Sequence, residues 1–573
     1  MPATVTVWTQ DAMVRIFGDD PVPASARKKI ELFAARGETE CFQIGIHARG
    51  IDLNYLSASA EPLQGPGGKS LDRSCVQVLF AEYVPVKWGM EKQGKGDVDR
   101  RAPGFFPDPL VPDWELDTAE TISPPTRSAW VQVQVPPDAR AGIYRGRVRL
   151  TAGRKVFAMG SKPEKIEFEV ERAVEFTLRV WGFTLPASTL LHTNWFFPEH
   201  LADWYKQPMW SPAYWRLIER VADDMAAHRQ NVILTPLFGG RTAEEQLVGV
   251  YQRGRSYRFD WRGFDRWAKI FLSRGFRWLE GAHIAFGSRR APSVWVRGAS
   301  ANAKKRSFNS ADDKAYEALL RQFFAALADH LRQRGWQSNY VQHISDEPKV
   351  AEEKPYARLA GLIRKAAPGL PIFDALTDPE LADLADYPVP LENEYDRVVA
   401  KSKVPAERIW TYYCCGPSSQ WPNRFIEFAP IRWRIFSWLC FDKNIPGFLH
   451  WGYNYWRAVR KSVINPWDDP TCHRYGAGDP CIVYPPRDAT MLERHGDKII
   501  GSIRWEIIRE AMEDYEYLRL TRQAAEAGDR EARAILKQVH AKIVPGWTTY
   551  TRDWNAMKDI RQRMGRLLSG RKA

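Results

Sequence analysis

Residues 312–348 read "DDKAYEALLRQFFAALADHLRQRGWQSNYVQHISDEP", and this stretch decides the fold. Apolar residues recur at i, i+3 and i+4 between Tyr316 and Leu331, the mark of an amphipathic helix, and Gly335 stops it. "YVQHIS" (340–345) then reads as a strand, and Pro348 forbids further ladder pairing. A helix feeding straight into a strand is the repeating unit of a parallel sheet with helices packed against it. Two adjacent carboxylates, Asp346 and Glu347, stand where this strand ends. Neighbouring negative charges repel, so the pair costs stability unless it is solvated or used.

The same unit recurs on both sides. Strand-like runs lie at "LLHTNWFF" (190–197), "NVILTPL" (231–237), "WLEGAHIAF" (278–286) and "PIFDAL" (371–376), then a weak "YPVPL" (387–391), "RIWTYYC" (408–414) and "GFLHWGY" (447–453). With 340–345 they make about eight, with helical runs between most of them, which predicts a (β/α)8 TIM barrel over residues 186–530. A doubly wound open sheet would use several of the same segments. The last barrel helix is expected at "SIRWEIIREAMEDYEYLRLTRQAAEAG" (502–528), after a long Pro/Gly-rich insertion. Residues 1–185 hold short alternating runs such as "ECFQIGIHA", "VQVLFAEYVPV" and "AWVQVQV", broken by turns such as "PPDARAG". That spacing predicts an N-terminal β-sandwich. Residues 531–573 read as a basic, helical C-terminal extension.

A chain of 573 residues exceeds one hydrophobic core, in keeping with such a division. The 24 Trp are in surplus; most fill core, but an indole face also packs on the C–H face of a pyranose. The net charge of +13 favours anionic partners, an acidic glycan among them. Its cations are scattered apart from "KKR" (304–306) and the tail, so nucleic acid is not expected. Seven cysteines show no metal-ligand spacing; Cys472 and Cys481 are the candidates for one stapled loop. The histidines form no metal motif, and neither a metal nor a cofactor is expected. No 18-residue apolar run and no export signal is present, so the reading is no membrane span, and a protein either cytoplasmic or exported with its signal trimmed. Oligomeric state is open.

On an extended backbone neighbouring side chains diverge, so Asp346 and Glu347 would reach one ligand from different sides. That geometry suits cleavage of a 2-acetamido sugar with help from the substrate. The acetamido oxygen attacks the anomeric carbon, one carboxylate holds the amide N–H, and the other protonates the leaving oxygen and later deprotonates water. Proximity raises the pKa of one member of the pair, which suits the proton donor. The competing reading is a solvated turn. His192, Asn194, His283 and Asp374 also stand near strand ends, where each reaches either a ligand or a buried hydrogen-bond partner. Asp514 and Glu516 in "DYEYL" read as helix packing, and "FGG" (238–240) and "GAGDP" (476–480) lack the grammar of a phosphate loop.

"HISDEP", "WPNRFIEFAPIRWRIFSWLCFDKNIPGFLHWGYNYW", "DPCIVYPP" and "SIRWEIIREAMEDYEYL" together resemble the catalytic domain of glycoside hydrolase family 123, and "AWVQVQVPPDARAGIYRGRVRL" is similar to the β-sandwich preceding it. The resemblance spans most of the chain in the same order. It implies an exo-acting β-N-acetylgalactosaminidase, retaining and substrate-assisted, acting on a glycan with terminal β-GalNAc. Asp346 would orient the acetamide and Glu347 would be the acid/base. Trp451, Asn454 and Trp456 match the segment that builds part of the family's sugar pocket, and Tyr412 or Tyr413 would bond the acetamide oxygen, with only one of the two facing inward. Glu392 and Glu394, in the poorly defined sixth strand, receive no role. A β-N-acetylhexosaminidase of other sugar preference and a catalytically silent glycan-binding protein stand as alternatives.

Overall fold

The computed structural model describes residues 3–570 apart from 91–96, 113, 116–124, 158–162, 288, 299–302, 309, 457–463, 472–474 and 497. The N-terminal region is β-rich. One sheet runs in the order Thr4–Asp11, Thr39–Arg49, Thr126–Gln134, Val76–Val86, Gly104–Val111; the other runs Lys29–Arg36, Pro163–Thr184, Gly142–Phe157, Tyr55–Ala60, Trp114–Glu115. Alternate residues of both sheets enter one apolar cluster. Phe42, Ile44 and Ile46 come from the first sheet and Val148, Leu150, Phe176 and Leu178 from the second. The Phe42 and Phe176 rings meet at 5.1 Å.

The C-terminal region is α/β. Its parallel strands are β1 (Leu191–Asn194), β2 (Val232–Thr235), β3 (Trp278–Gly281), β4 (Tyr340–Gln342), β5 (Phe373–Asp374), β6 (Tyr387–Pro388), β7 (Thr411–Tyr412) and β8 (Gly447–His450). Parallel ladders join β2–β3, β3–β4, β5–β6, β7–β8 and β8–β1. Single parallel bridges, Gln342↔Ile372 and Leu391↔Tyr412, join β4 to β5 and β6 to β7. The Asn231 amide, just before β2, donates to the His192 carbonyl of β1 at 3.3 Å. Each strand thus neighbours the next in sequence, and the last returns to the first. Every one lies inside a run that the sequence marks as a strand.

Period-two alternation sorts the side chains. Val232, Val341, Phe373, Trp410, Tyr412 and Leu449 share one inner cluster. Their neighbours Ile233, Tyr340, Ile372, Ile409, Tyr413 and Phe448 belong to the layer under the helices. The helix Lys314–Arg334 begins where Asp313 accepts from the Ala315 amide and ends at Gly335 with φ 71°, a left-handed value that suits glycine. The ladder of β4 is shorter than "YVQHIS", and at its end the Gln342 side-chain amide donates to the Gly281 and Ala282 carbonyls, at 3.2 and 2.9 Å. The sixth strand is reduced to two residues, Tyr387–Pro388, since its second residue and Pro390 have no N–H to donate.

The loops after β2 and β3 together build a further sheet not anticipated from the sequence, ordered Ser256–Asp260, Gly249–Arg253, Val294–Arg297, Ala303–Arg306. The long helix Ile503–Glu526 starts on Ser502 and carries Asp514 and Glu516 in packing contacts, as expected. Asp514 pairs with Arg434 and Arg561, each at 2.7 Å, and Glu516 accepts from Thr189. Arg561, in the C-terminal helix Trp554–Ser569, also pairs with Glu38 and Glu40 of the N-terminal region. Cys481 is a buried reduced thiol, and its candidate partner Cys472 lies outside the described residues.

Candidate active site

Chain geometry places the two carboxylates first. Beyond β4 the backbone bends so that Glu347 takes φ 42°, a left-handed conformation that costs a non-glycine residue about 1–2 kcal/mol. The bend leaves Asp346 and Glu347 both exposed at the strand's carboxyl end, between buried Ser345 and buried Pro348. From β7, the Tyr412 hydroxyl donates to Glu347 Oε1. This settles which tyrosine faces inward. Tyr413 points to the helix layer, its ring 4.8 Å from Phe436.

Asp346 is pushed up to about 6, first by the protein packed around it, then by the Glu347 charge, with His343 pulling the other way, so the raised member of the pair is the one expected to hold the acetamide and not the proton donor. Asp346 is nonetheless exposed to solvent, so protein crowds it on one side while water still reaches it. Beneath it lies a buried charged cluster of which sequence reasoning named Asp374 but neither His343 nor Glu280. His343 Nδ1 meets Asp374 Oδ1 at 2.9 Å and its Nε2 meets Glu280 Oε2 at 2.9 Å. Burial alone would lower this imidazole, but the hydrogen bonds to Asp374 and Glu280 outweigh it and hold it at about 9. At neutral pH it is an imidazolium between two acids. Trp195 Nε1 donates to Glu280 at 3.1 Å, and Tyr356 and the Ile344 amide donate to Asp374 at 2.6 and 2.8 Å. Burial raises the Asp374 carboxyl.

His283 packs against His343 with ring centres 4.5 Å apart and planes tilted by 32°. Burial and the neighbouring imidazolium lower it well below the usual histidine range, so it is neutral. His283, His343 and Asp374 bring donor atoms within 4.8 Å of one another. Both nitrogens of His343 are already taken by carboxylates, so of the two histidines only neutral His283 keeps a ring lone pair.

The other sequence candidates divide. Trp451 is half-buried beside Tyr455 and Tyr475, and its Nε1 donates to Asp479 Oδ2 at 3.0 Å. Burial pushes Asp479 up to about 8, with Arg424 opposing. Asn194 is buried, its oxygen accepting from Arg424 at 2.7 Å and its amide donating to Gln230 at 3.0 Å. Asn454 bonds the Phe197 backbone through both ends of its amide, at 2.8 and 3.0 Å. Trp456 is buried and donates to the Val483 carbonyl at 2.9 Å. His192 stacks on Phe448 at 4.1 Å, within the wall. Glu392 is wholly buried and burial raises its pKa well above the ordinary range; Glu394 pairs with Arg397 at 2.6 Å. The structure therefore brings Asp346, Glu347 and Tyr412 together over His283 and His343, and commits Asn194, Asn454 and Trp456 to hydrogen bonds within the protein. Glu280 did offer a signal, an acid inside the otherwise apolar "WLEG" of β3. Asp479 lay hidden in a loop read only for its glycines.

Residues 195–521 match the family model of the glycoside hydrolase 123 catalytic domain, and residues 15–152 match that of the glycoside hydrolase 123 N-terminal domain. Among solved structures, a family 123 glycoside hydrolase from Clostridium perfringens, described in terms of glycolipid glycan hydrolysis, superposes with a TM-score of 0.73 at 15% identity over 99% of this chain and 97% of that one. A β-galactosidase from the psychrophilic Marinomonas ef1 aligns far more loosely, at a TM-score of 0.34 and 10% identity over 57% and 60% of the two chains. None of the curated proteins matches the sequence.

Proposed function

Because the chain belongs to glycoside hydrolase family 123, we propose that it is an exo-acting β-N-acetylgalactosaminidase whose substrate supplies the nucleophile. The observation that carries this reading is the pair itself. Asp346 and Glu347 are adjacent and exposed at the end of β4, and Glu347 is held in a strained conformation under the Tyr412 hydroxyl. Asp346, at about 6, is ionised at neutral pH. It accepts from the acetamide N–H and gains strength as the oxazolinium ring acquires positive charge. Glu347 protonates the departing oxygen and then takes a proton from the water that opens the ring, so configuration is retained. Trp451 offers an aromatic wall for the sugar. No metal or cofactor enters this chemistry.

The same reading takes residues 1–185 as a β-sandwich, 186–530 as a (β/α)8 barrel and 531–573 as a helical extension. The shared core of the two N-terminal sheets and the sequence-ordered run of eight parallel strands support it. Aryl glycosides of β-GalNAc, β-GlcNAc and β-Gal test the activity side by side. The β-GalNAc compound should be cleaved fastest and the β-Gal compound hardly at all, since a hydroxyl replaces its internal nucleophile. Efficient cleavage of the plain galactoside would overturn the mechanism, and a preference for β-GlcNAc would reassign the sugar.

A further inference from the structure

The sheet built by the loops after β2 and β3 has one face in the core and one in solvent. Alternation assigns Val250, Phe259, Val294 and Val296 to the inner face, and all four are buried. The outer face carries Tyr251, Arg253, Arg258, Trp295, Arg297 and Lys305. Across the ladder Tyr251 sits opposite Arg258 on one side and Arg297 on the other, and Trp295 sits opposite Lys305. The Arg258 guanidinium lies 5.5 Å from the Tyr251 ring centre and the Lys305 ammonium 5.8 Å from that of Trp295. Of the nearby acids, Glu244 pairs with Arg297 at 3.1 Å and Asp260 is held by Arg262 at 2.7 Å. Among the described residues no carboxylate forms an ion pair with Arg253, Arg258 or Lys305, although Asp260 feels the Arg258 charge, and all three are exposed.

Both contributing loops follow the carboxyl ends of their strands, the side on which Asp346 and Glu347 stand. The basic track continues toward them. Arg289 and Arg290 are exposed in the loop after β3, and Arg289 donates to the Ala351 carbonyl at 3.2 Å, four residues past Glu347. Exposed cations beside half-buried aromatic rings match one chemistry well. Guanidinium and ammonium groups meet carboxylate or sulfate, and ring faces meet the apolar face of a pyranose.

We infer that this face binds an acidic glycan chain, bearing carboxylate or sulfate groups, that continues from the sugar held at Asp346 and Glu347. Describing that chain as part of the substrate rests on the glycosidase reading; the binding itself does not. A membrane is the poorer fit, because Tyr251 and Trp295 lie half-buried within the sheet face and offer no projecting apolar side chain to enter lipid. Nucleic acid would use the same charges, so a DNA oligonucleotide is one arm of the test.

The full chain and the triple variant R253A/R258A/K305A should be titrated with chondroitin sulfate, hyaluronan, neutral dextran, phosphatidylserine vesicles and a single-stranded DNA oligonucleotide. The parent should bind the acidic glycans and weaken steeply as salt is raised, and the triple variant should bind them roughly 10-fold less tightly. A preference for chondroitin sulfate over hyaluronan would assign the recognition to sulfate, and equal binding would assign it to carboxylate. Unchanged binding by the variant, equal binding of dextran, or tighter binding of vesicles or DNA would each overturn the inference. Hydrolysis of the aryl β-GalNAc glycoside, too small to reach this face, reads the cleft separately. Cleavage without glycan binding sinks this inference alone. Glycan binding without cleavage sinks the catalytic reading and leaves this one standing.

Discussion

Asp346→Asn removes one negative charge from the end of β4 and keeps the shape of the side chain. The carboxyl stands at about 6 against an ordinary 3.8. A difference of roughly two units would be worth ~3 kcal/mol in a dry site. The side chain is exposed, so solvent screening reduces this to ~1 kcal/mol. The sign follows from linkage. The folded-state pKa is raised, so the folded protein binds the proton more tightly than the unfolded chain, and ionisation destabilises the fold. That penalty is absent below pH 3.8, grows between 3.8 and about 6, and is complete above. Asp346→Asn should therefore be more stable than the parent at pH 7.5, by about 1–2 °C in unfolding temperature for a region of this size. The difference should fade toward pH 4. The same variant should lose about 10²–10³ in kcat on the β-GalNAc glycoside. Thermal unfolding at the two pH values beside one kinetic assay measures both effects. A variant less stable than the parent at pH 7.5 would refute the reasoning, since it would make Asp346 a hydrogen-bonded anchor.

Three further outcomes are expected. Activity of the parent should fall as pH drops through about 6, because Asp346 must be ionised to take up positive charge; a kcat/KM profile flat from pH 7 to 5 would contradict that role. Glu347→Gln should slow substrates with poor leaving groups most and spare activated aryl glycosides in part. Tyr412→Phe should act in the same direction, by about 10–100-fold, as the loss of a hydrogen bond to a charged group implies. Arg561→Ala should leave Glu38, Glu40 and Asp514 without their shared cation and destabilise the protein by about 3–5 kcal/mol, seen as a clear drop in unfolding temperature.

Much of the strand order was legible because a buried strand and an amphipathic helix leave periodic marks. All eight parallel strands fall inside runs picked out by apolar alternation, and the helix from Lys314 ends at the glycine that marked its stop. The sheet formed by Gly249–Arg253, Ser256–Asp260, Val294–Arg297 and Ala303–Arg306 was not legible. Its strands are short and come from two separated loops, and no local pattern announces pairing across that distance. The carboxylate pair could be read because Pro348 closes the extended run that carries it, although the strand itself ends at Gln342. Its support could not. Glu280, His343 and Asp374 come from three strands, and only the folded sheet brings them into contact. Asn194, Asn454 and Trp456 look alike in sequence whether they face a sugar or the protein, since an amide or an indole N–H serves both.

A solvated turn and a catalytic pair demand different backbones, and that difference bears on the choice between them. A turn with nothing to hold would relax its dihedrals and leave its acids unengaged by other strands. Here Glu347 is held at φ 42° and its carboxylate accepts from a tyrosine three strands away in sequence order. Asp346 is crowded enough to bind its proton more tightly, and a buried imidazolium stands under it with both nitrogens committed. Strain of this kind persists only where the surroundings over-determine the geometry. The surroundings are supplied by Trp195 just past β1, Glu280 of β3, Asp374 of β5 and Tyr412 of β7, so alternate strands converge on one short segment of β4 and its end. Fixing two carboxylates at a chosen separation and angle before substrate arrives is what electrostatic stabilisation of a developing oxazolinium requires. The destabilising features of 343–347 and the proposed chemistry thus have one physical origin, the preorganisation of charge at the end of a strand.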